Sequence, residues 1–247
     1  MPNADFFKIL DSVDSTNNYA MAMVRQGLAM HGMAFVAKEQ TLGKGQRGKT
    51  WQMQPDQNIA MSLILKTDTL RADEQFCLSM LTALAANDFF KKQVPNETFI
   101  KWPNDLYWRD RKAGGILIET VFKGKEWKWA VVGIGININQ IYFDAALPNP
   151  VSLKQITGKE YNVIVLAREL YNCLMMRFEE LPNKTPNEFV NEFQQYLYKI
   201  NEKVRLKKGN AVFETTITGV NTQGQLITQA AIEQVFNFGE IEWVLPR

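Results

Sequence analysis

The segment GKGQRGKTW (43–51) brings three glycines and three cations into nine residues. Gly43, Gly45 and Gly48 allow unusual backbone angles and close approach to a ligand, while Lys44, Arg47 and Lys49 supply positive charge. Such a loop can fold over a phosphorylated ligand and exclude water. Gly43 to Thr50 also satisfies G-x-x-x-x-G-K-[ST], a nucleotide phosphate-binding pattern. That pattern requires a strand before it and a helix after it, because the helix N-terminus helps to hold the phosphates. The strand is present, but Trp51-Gln52-Met53-Gln54-Pro55 has no apolar face and Pro55 arrives within a turn, so this reading is rejected. Taken alone, the segment could also be a solvated basic turn.

Two more polar islands interrupt apolar sequence. KWPNDLYWRDRKAGG (101–115) combines cations, an Asn-Asp pair and a Gly pair, and GIGININ (133–139) places glycines and asparagines in an apolar run. Three such islands suggest a pocket between strands.

The elements that position them are legible in outline. Asp14 and Ser15 can cap a helix running through YAMAMV to Gly27. MAFVAKEQ (33–40) and NIAMSLILK (58–66) read as strands on either side of the basic loop, and 71–92 as a long amphipathic helix. FIKW (99–102) is a short strand stopped by Pro103. GGILIETVF (114–122) and EWKWAVVGIGINI (126–138), joined by KGK, read as a hairpin of central strands. Residues 139–150 form a loop, and 162–181 and 186–198 two further helices. From Lys203 onward five short runs alternate with turn signals and no helical period, which predicts a small β-barrel. We therefore expect an α+β fold: a catalytic domain over 1–201, with a mixed β-sheet flanked by helices, and a β-barrel over 202–247.

Composition sets limits. The 247 residues are 46% hydrophobic and 22% charged, ordinary for a globular protein, and the net charge of +2 is too small to argue for nucleic acid or an anionic membrane. Two distant cysteines, Cys77 and Cys173, and one histidine, His31, give no metal-ligand spacing, so no protein metal site is expected and both thiols read as reduced core residues. No secretory signal or membrane-length apolar run is visible, which makes a cytoplasmic location the expectation.

DSTNNYA (14–20), GKGQRGKTW, KWPNDLY (101–107), RKAGGILIE (111–119) and GIGININ occur in an order and spacing that resemble the biotin protein ligase family. The C-terminal GVNTQGQLI and FNFGEI are similar to that family's SH3-like cap. The resemblance implies a class II synthetase-like biotin/lipoate ligase domain in a short, monofunctional form that lacks a DNA-binding module. It implies three ligands: biotin and ATP as substrates, with Mg2+. The carboxylate of biotin would attack the α-phosphate, and a lysine of a biotin carboxyl carrier protein domain of a carboxylase would then take the acyl group. No nucleic acid or membrane partner is implied.

By the same resemblance, Ser15, Thr16, Asn17 and Gln40 would bind the ureido head, although 15–17 could equally be a plain helix cap. Lys112 would be the catalytic cation between the biotin carboxylate and the α-phosphate. Lys101 would neutralise phosphate. Asn104 and Asp105 would orient magnesium-bound phosphate or the incoming amine, or simply form a turn after Pro103. Arg47, with Gly43, Lys44, Gly45 and Gln46, would close over the adenylate. Trp51 would pack on adenine, anchor the closed loop or serve the core. Asn137 would contact nucleotide, and Gly115, Gly133 and Gly135 would let backbone approach the ligand. A homodimer through the central sheet is a further expectation, with AVVGIGINI (130–138) as its edge.

The family loop commonly reads G-R-G-R-R-G-R/K. Here Lys44 and Gln46 replace two arginines, which is expected to loosen retention of the adenylate. Trp243 and Val244 stand where some members carry an arginine, so no C-terminal binding residue is inferred. Two alternatives remain open at this point: a lipoate ligase, separable by its acid substrate, and a non-catalytic nucleic-acid- or ligand-binding module, separable by the lack of ATP–pyrophosphate exchange.

Overall fold

The computed structural model describes residues 6–68, 70–71 and 74–244. The outer ends of the expected units 1–201 and 202–247, and residues 72 and 73 of the expected helix, lie outside the described residues.

Strands β1 (Phe7–Val13), β2 (Ala34–Gln40), β3 (Asn58–Lys66), β4 (Thr98–Lys101), β5 (Asp105–Trp108), β6 (Arg111–Lys123) and β7 (Glu126–Asn137) form one sheet in the order β1-β2-β3-β7-β6-β5-β4. Only β1 and β2 are parallel. Five strands, β8 (Lys203–Lys208), β9 (Ala211–Val220), β10 (Leu226–Gln229), β11 (Glu233–Phe236) and β12 (Glu242–Trp243), form the expected C-terminal antiparallel unit in the order β11-β10-β9-β8-β12.

The pleat sends alternate residues of the large sheet to opposite faces. On one face lie α2 (Gln75–Gln93), α4 (Val163–Phe178) and α5 (Pro186–Gln194), enclosing a core that includes Leu63, Leu65, Val132, Ile134, Leu84 and Phe89, to which the short α3 (Leu153–Thr157) adds Leu153. The other face is covered only in part by α1 (Thr16–Arg25), over a small core of Ala20, Met33, Phe35, Ile64 and Val131. Beyond α1 that face is open, and the functional residues gather there.

Three expectations need correction. The helix expected over 71–92 is not amphipathic: α2 buries residues all round, from Leu78 and Leu81 to Asn87 and Phe90, because the sheet, α4 and α5 surround it. The 130–138 strand is not an edge, since β7 pairs with β3 on one side and β6 on the other. An open margin does exist on β6, where β5 pairs only as far as Gly115 and leaves Ile118–Lys123 without a partner on that side among the described residues. Two strands were unforeseen, β1, whose residues are mostly exposed, and the four-residue β5.

Cys77 on α2 and Cys173 on α4 are buried thiols. No helix among the described residues is long and apolar enough to cross a membrane.

Candidate active site

Small residues hollow the centre of the sheet. The strand register aligns Ala60, Gly135 and Gly115 in one row across β3, β7 and β6, and Ser62, Gly133 and Leu117 in the next. Side chains from outside the sheet occupy the space. Trp51 lies against Gly135, where an added Cβ would overlap the indole, and Asn17 lies against Gly133 in the same way. Gly115 leaves room beside Lys112 and Asp105. A cleft results, with Ala60, Leu117 and Trp51 as its apolar walls.

The closed end of the cleft is polar. Ser15, Thr16 and Asn17 are buried at the start of α1. Ser15 occupies the N-cap position, yet its hydroxyl makes no capping hydrogen bond, so the helix-cap explanation does not account for it. The Thr16 amide donates to Gln40 Oε1 at 2.8 Å, and Thr16 Oγ1 lies 3.1 Å from the same oxygen. Ser62 Oγ donates to Asn17 Oδ1 at 2.5 Å and stands 2.8 Å from Thr16 Oγ1. Asn17 Nδ2 donates to Glu119 Oε2 at 2.9 Å. The result is a floor of fixed donors and acceptors suited to a neutral polar head group.

Residues 43–51 form an ordered hairpin over the cleft. Trp51 N donates to Gly43 O at 2.9 Å and Gly45 N to Lys49 O at 2.7 Å, with a single 3₁₀ turn over Gln46–Gly48 at the tip. No helix follows, as the rejection of the nucleotide motif required. Lys44, Gly45, Gln46 and Trp51 line the cleft. Gln46 Nε2 donates to Ile116 O at 3.3 Å, while its Oε1 is buried without a hydrogen-bond partner among the described residues. Arg47 turns away. Its φ of 56° reverses the chain, and its guanidinium donates to Gly239 O at 3.3 Å and lies 5.9 Å from the centre of the Phe238 ring. Arg47 therefore joins the lid to the C-terminal sheet and does not line the cleft.

Lys112 does line the cleft, with its Nζ 2.7 Å from Asp105 Oδ1. Its backbone is pinned from both sides: its N–H donates to Asn149 O at 2.8 Å, and its carbonyl accepts from Val151 N at 2.9 Å. Asn137 adds to this clamp, because its Nδ2 donates to Lys112 O at 3.4 Å and Val151 O at 3.1 Å. Asn137 is thus buried behind Lys112, outside the lining. Asn104 lines the cleft and donates to Ile116 O at 2.7 Å.

Lys101 lies outside the lining as well, with Nζ 5.2 Å from the centres of both the Tyr107 and Trp243 rings. Burial pushes its ammonium down to about 8, and Lys112 and Lys49 act in the same direction against the opposing pull of Asp105. Among the described residues no group of three or more His, Cys, Asp or Glu could hold a metal ion.

The cleft therefore brings together Ser15, Thr16, Asn17, Gln40, Lys44, Gly45, Gln46, Trp51, Asn104, Lys112 and Gly115. Gly43 closes the base of the hairpin, and Asp105 touches the site through Lys112. Arg47, Lys101 and Asn137 stand behind it. Sequence reasoning missed Ser62 and Glu119. Their signal was present: each is a polar residue in an apolar strand, at the parity that faces the cleft.

A family model described as the biotin/lipoate A/B protein ligase family matches residues 9–137, more than half of the chain. The bifunctional ligase/repressor BirA of Bacillus spizizenii is 28% identical over 235 residues, covering 92% of this chain and 71% of that protein. A biotin–[acetyl-CoA-carboxylase] ligase of Paracoccus denitrificans is 37% identical over 135 residues, 53% of each chain. The biotin protein ligase of Aquifex aeolicus, solved in complex with biotin and ATP, superimposes with a TM-score of 0.80 at 22% identity, covering 96% of this chain and 97% of that one. Sequence match and shared fold agree with the cleft, its glycine rows and its basic lid: the chain belongs to the biotin/lipoate A/B protein ligase family.

Proposed function

We propose that this protein is an ATP-dependent biotin protein ligase, which activates biotin as biotinyl-5'-AMP and transfers it to a lysine of a biotin carboxyl carrier protein domain. In this reading residues 1–201 form the catalytic unit and 202–247 the C-terminal unit. The observation that carries it is a slot with apolar walls, a polar closed end at Thr16, Asn17 and Gln40, and a fixed ammonium, Lys112, at its other part.

A carboxylate resists attack by an amine, so it must first gain a leaving group. Biotin's carboxylate attacks the α-phosphorus of ATP, the bond from that phosphorus to the bridging oxygen breaks, and pyrophosphate departs. Two anionic groups must approach each other, and Lys112 offsets their repulsion. Because its backbone is clamped and Asp105 holds its ammonium at 2.7 Å, the charge is in place before the ligand arrives. In the second step the acceptor amine attacks the acyl carbon, AMP leaves with the electron pair, and the nitrogen sheds a proton. Asp105, beside Lys112, is the carboxylate placed to orient that amine. Asn104 faces the phosphates, Lys101 adds positive charge from behind the cleft, Gln46 and Lys44 cover the adenylate, and Asn137 acts through the Lys112 backbone.

Mg2+ would be held mainly by the nucleotide's phosphates. One carboxylate, Asp105, suits an ion that keeps most of its shell from phosphate and water rather than from protein. When bound, the ion neutralises phosphate charge.

The polar floor favours biotin over lipoate. A urea head can use the hydrogen-bonding capacity that the floor's own contacts leave over, whereas a dithiolane would bury that capacity unused, at a cost of about 1–3 kcal/mol for each group so buried. The unpaired margin of β6, Ile118–Lys123, is where we place docking of the carrier domain or of a second copy. The test is biotin-dependent ATP–pyrophosphate exchange. Wild type should exchange and Lys112→Met should not, while calorimetry shows that Lys112→Met still binds biotin. Exchange retained by Lys112→Met would overturn the assignment.

A further inference from the structure

Glu119 has no place in the reaction just described and does not line the cleft, yet it faces the same side of β6. Its register partner is Val131, one row beyond Leu117 and Gly133. Its two oxygens have separate partners. Oε2 accepts from Asn17 Nδ2 at 2.9 Å, and Oε1 lies 3.7 Å from Lys44 Nζ in the lid. Asn17 is fully committed: Nδ2 also reaches Leu117 O at 3.4 Å, and Oδ1 accepts from Ser62 Oγ at 2.5 Å.

Following the protons makes the consequence plain. A carboxylate can only accept, so Glu119 requires the amino side of the Asn17 amide to face it. The carbonyl side of Asn17 must then face Ser62, and it too can only accept. The single proton of Ser62 is therefore given to Asn17. Ser62 Oγ at 2.8 Å and Gln40 Oε1 at 3.1 Å then share the threonine's one proton, so Thr16 Oγ1 has only lone pairs to present to the cleft. Without Glu119 only the long 3.4 Å contact to Leu117 O would hold the amide, and turning it over would reverse the sequence of donors and acceptors behind Thr16.

We infer that Glu119 is a positioning residue which, through Asn17 and Ser62, sets the hydrogen-bond polarity of the head-group floor and, through Lys44, ties the lid to that floor. This rests on the reading of the cleft as a biotin site. Ser62 is the intermediate member of the relay. The tie to Lys44 is the weaker arm, since both side chains are partly exposed.

The test uses the full chain with Glu119→Ala, Glu119→Gln and Ser62→Ala. Glutamine can still offer an oxygen to Asn17 but loses the charge facing Lys44. Biotin affinity is read by calorimetry, KM for biotin and kcat by pyrophosphate exchange, and lid opening by amide hydrogen exchange across 44–50. Glu119→Ala is expected to raise the Kd and KM for biotin about tenfold with a smaller change in kcat, the scale of one charge-assisted hydrogen bond. Glu119→Gln should raise them about threefold and Ser62→Ala by an intermediate factor, on the same scale. Both Glu119 variants should speed exchange across the lid about twofold.

Glu119→Ala with wild-type biotin affinity, or Glu119→Gln as damaging as Glu119→Ala, overturns the polarity argument. Unchanged lid exchange overturns the tie. If Glu119→Ala does not fold, Ser62→Ala and Glu119→Gln carry the same comparison. Wild type that fails to bind biotin would sink the proposed function itself, a result distinct from wild type and Glu119→Ala binding equally.

Discussion

Replacing Arg47 with alanine should let the activated intermediate escape, although Arg47 does not line the cleft. The guanidinium holds the lid hairpin to the turn before β12 by one hydrogen bond, 3.3 Å to Gly239 O, and by its position over the Phe238 ring. Both contacts are at the surface, so together they stabilise the closed lid by about 1 kcal/mol, a factor of about five in the ratio of closed to open forms. Alanine keeps the backbone conformation available to a non-glycine residue and removes only the tie. The assay forms labelled biotinyl-AMP on the enzyme in the presence of pyrophosphatase, removes free ligand, adds excess unlabelled biotin and counts label released with time. Release from Arg47→Ala should be about fivefold faster than from wild type, with Arg47→Lys between them because it keeps charge without the planar fork. Release equal to wild type would refute the reasoning and leave retention to Gln46, Lys44 and the glycine backbone.

Three other outcomes follow from the same geometry. Lys101 has its ammonium lowered to about 8 by burial, so its charge is present below that pH and lost above it; kcat/KM for ATP should fall as pH rises through about 8, and Lys101→Arg should lose that limb of the profile. Gly133→Ala would drive a methyl group into Asn17 Oδ1, an overpacking of about 1–3 kcal/mol, and a titration with biotin should show an affinity loss of about tenfold or more. Asn87 in α2 is fully buried and neither side-chain polar atom has a hydrogen-bond partner among the described residues, so Asn87→Leu should raise stability by about 1 kcal/mol in urea denaturation, and a lowered midpoint would contradict this.

Much of the architecture is written locally in the chain. NIAMSLILK announces a central strand because it is buried on both faces, the two long apolar runs joined by KGK announce a hairpin, and the C-terminal strands announce themselves through turns at Gly209, Gly224 and Gly239, all with positive φ. What escaped detection depends on distant parts of the chain. β1 lies at the sheet margin and buries little, so it has no hydrophobic pattern; β7 looked like an edge because strand order is not a local property. The same division holds at the site. The polar types at 15–17 and at 40 were visible, but whether Ser15 caps its helix depends on where one hydroxyl turns. Arg47 and Gln46 are neighbours in sequence, yet the left-handed conformation at Arg47 sends one to the C-terminal sheet and the other into the cleft. Ser62 and Glu119 could have been found, because a serine and a glutamate inside apolar strands needed an explanation.

The most direct test is chemical. A purified biotin carboxyl carrier domain is incubated with this protein, MgATP and either biotin or lipoate, then weighed by mass spectrometry and its modified residue located. One biotinyl group on a single lysine, dependent on ATP and abolished by Lys112→Met, is the predicted result. An unmodified carrier with biotin, or modification by lipoate in its place, would contradict the account.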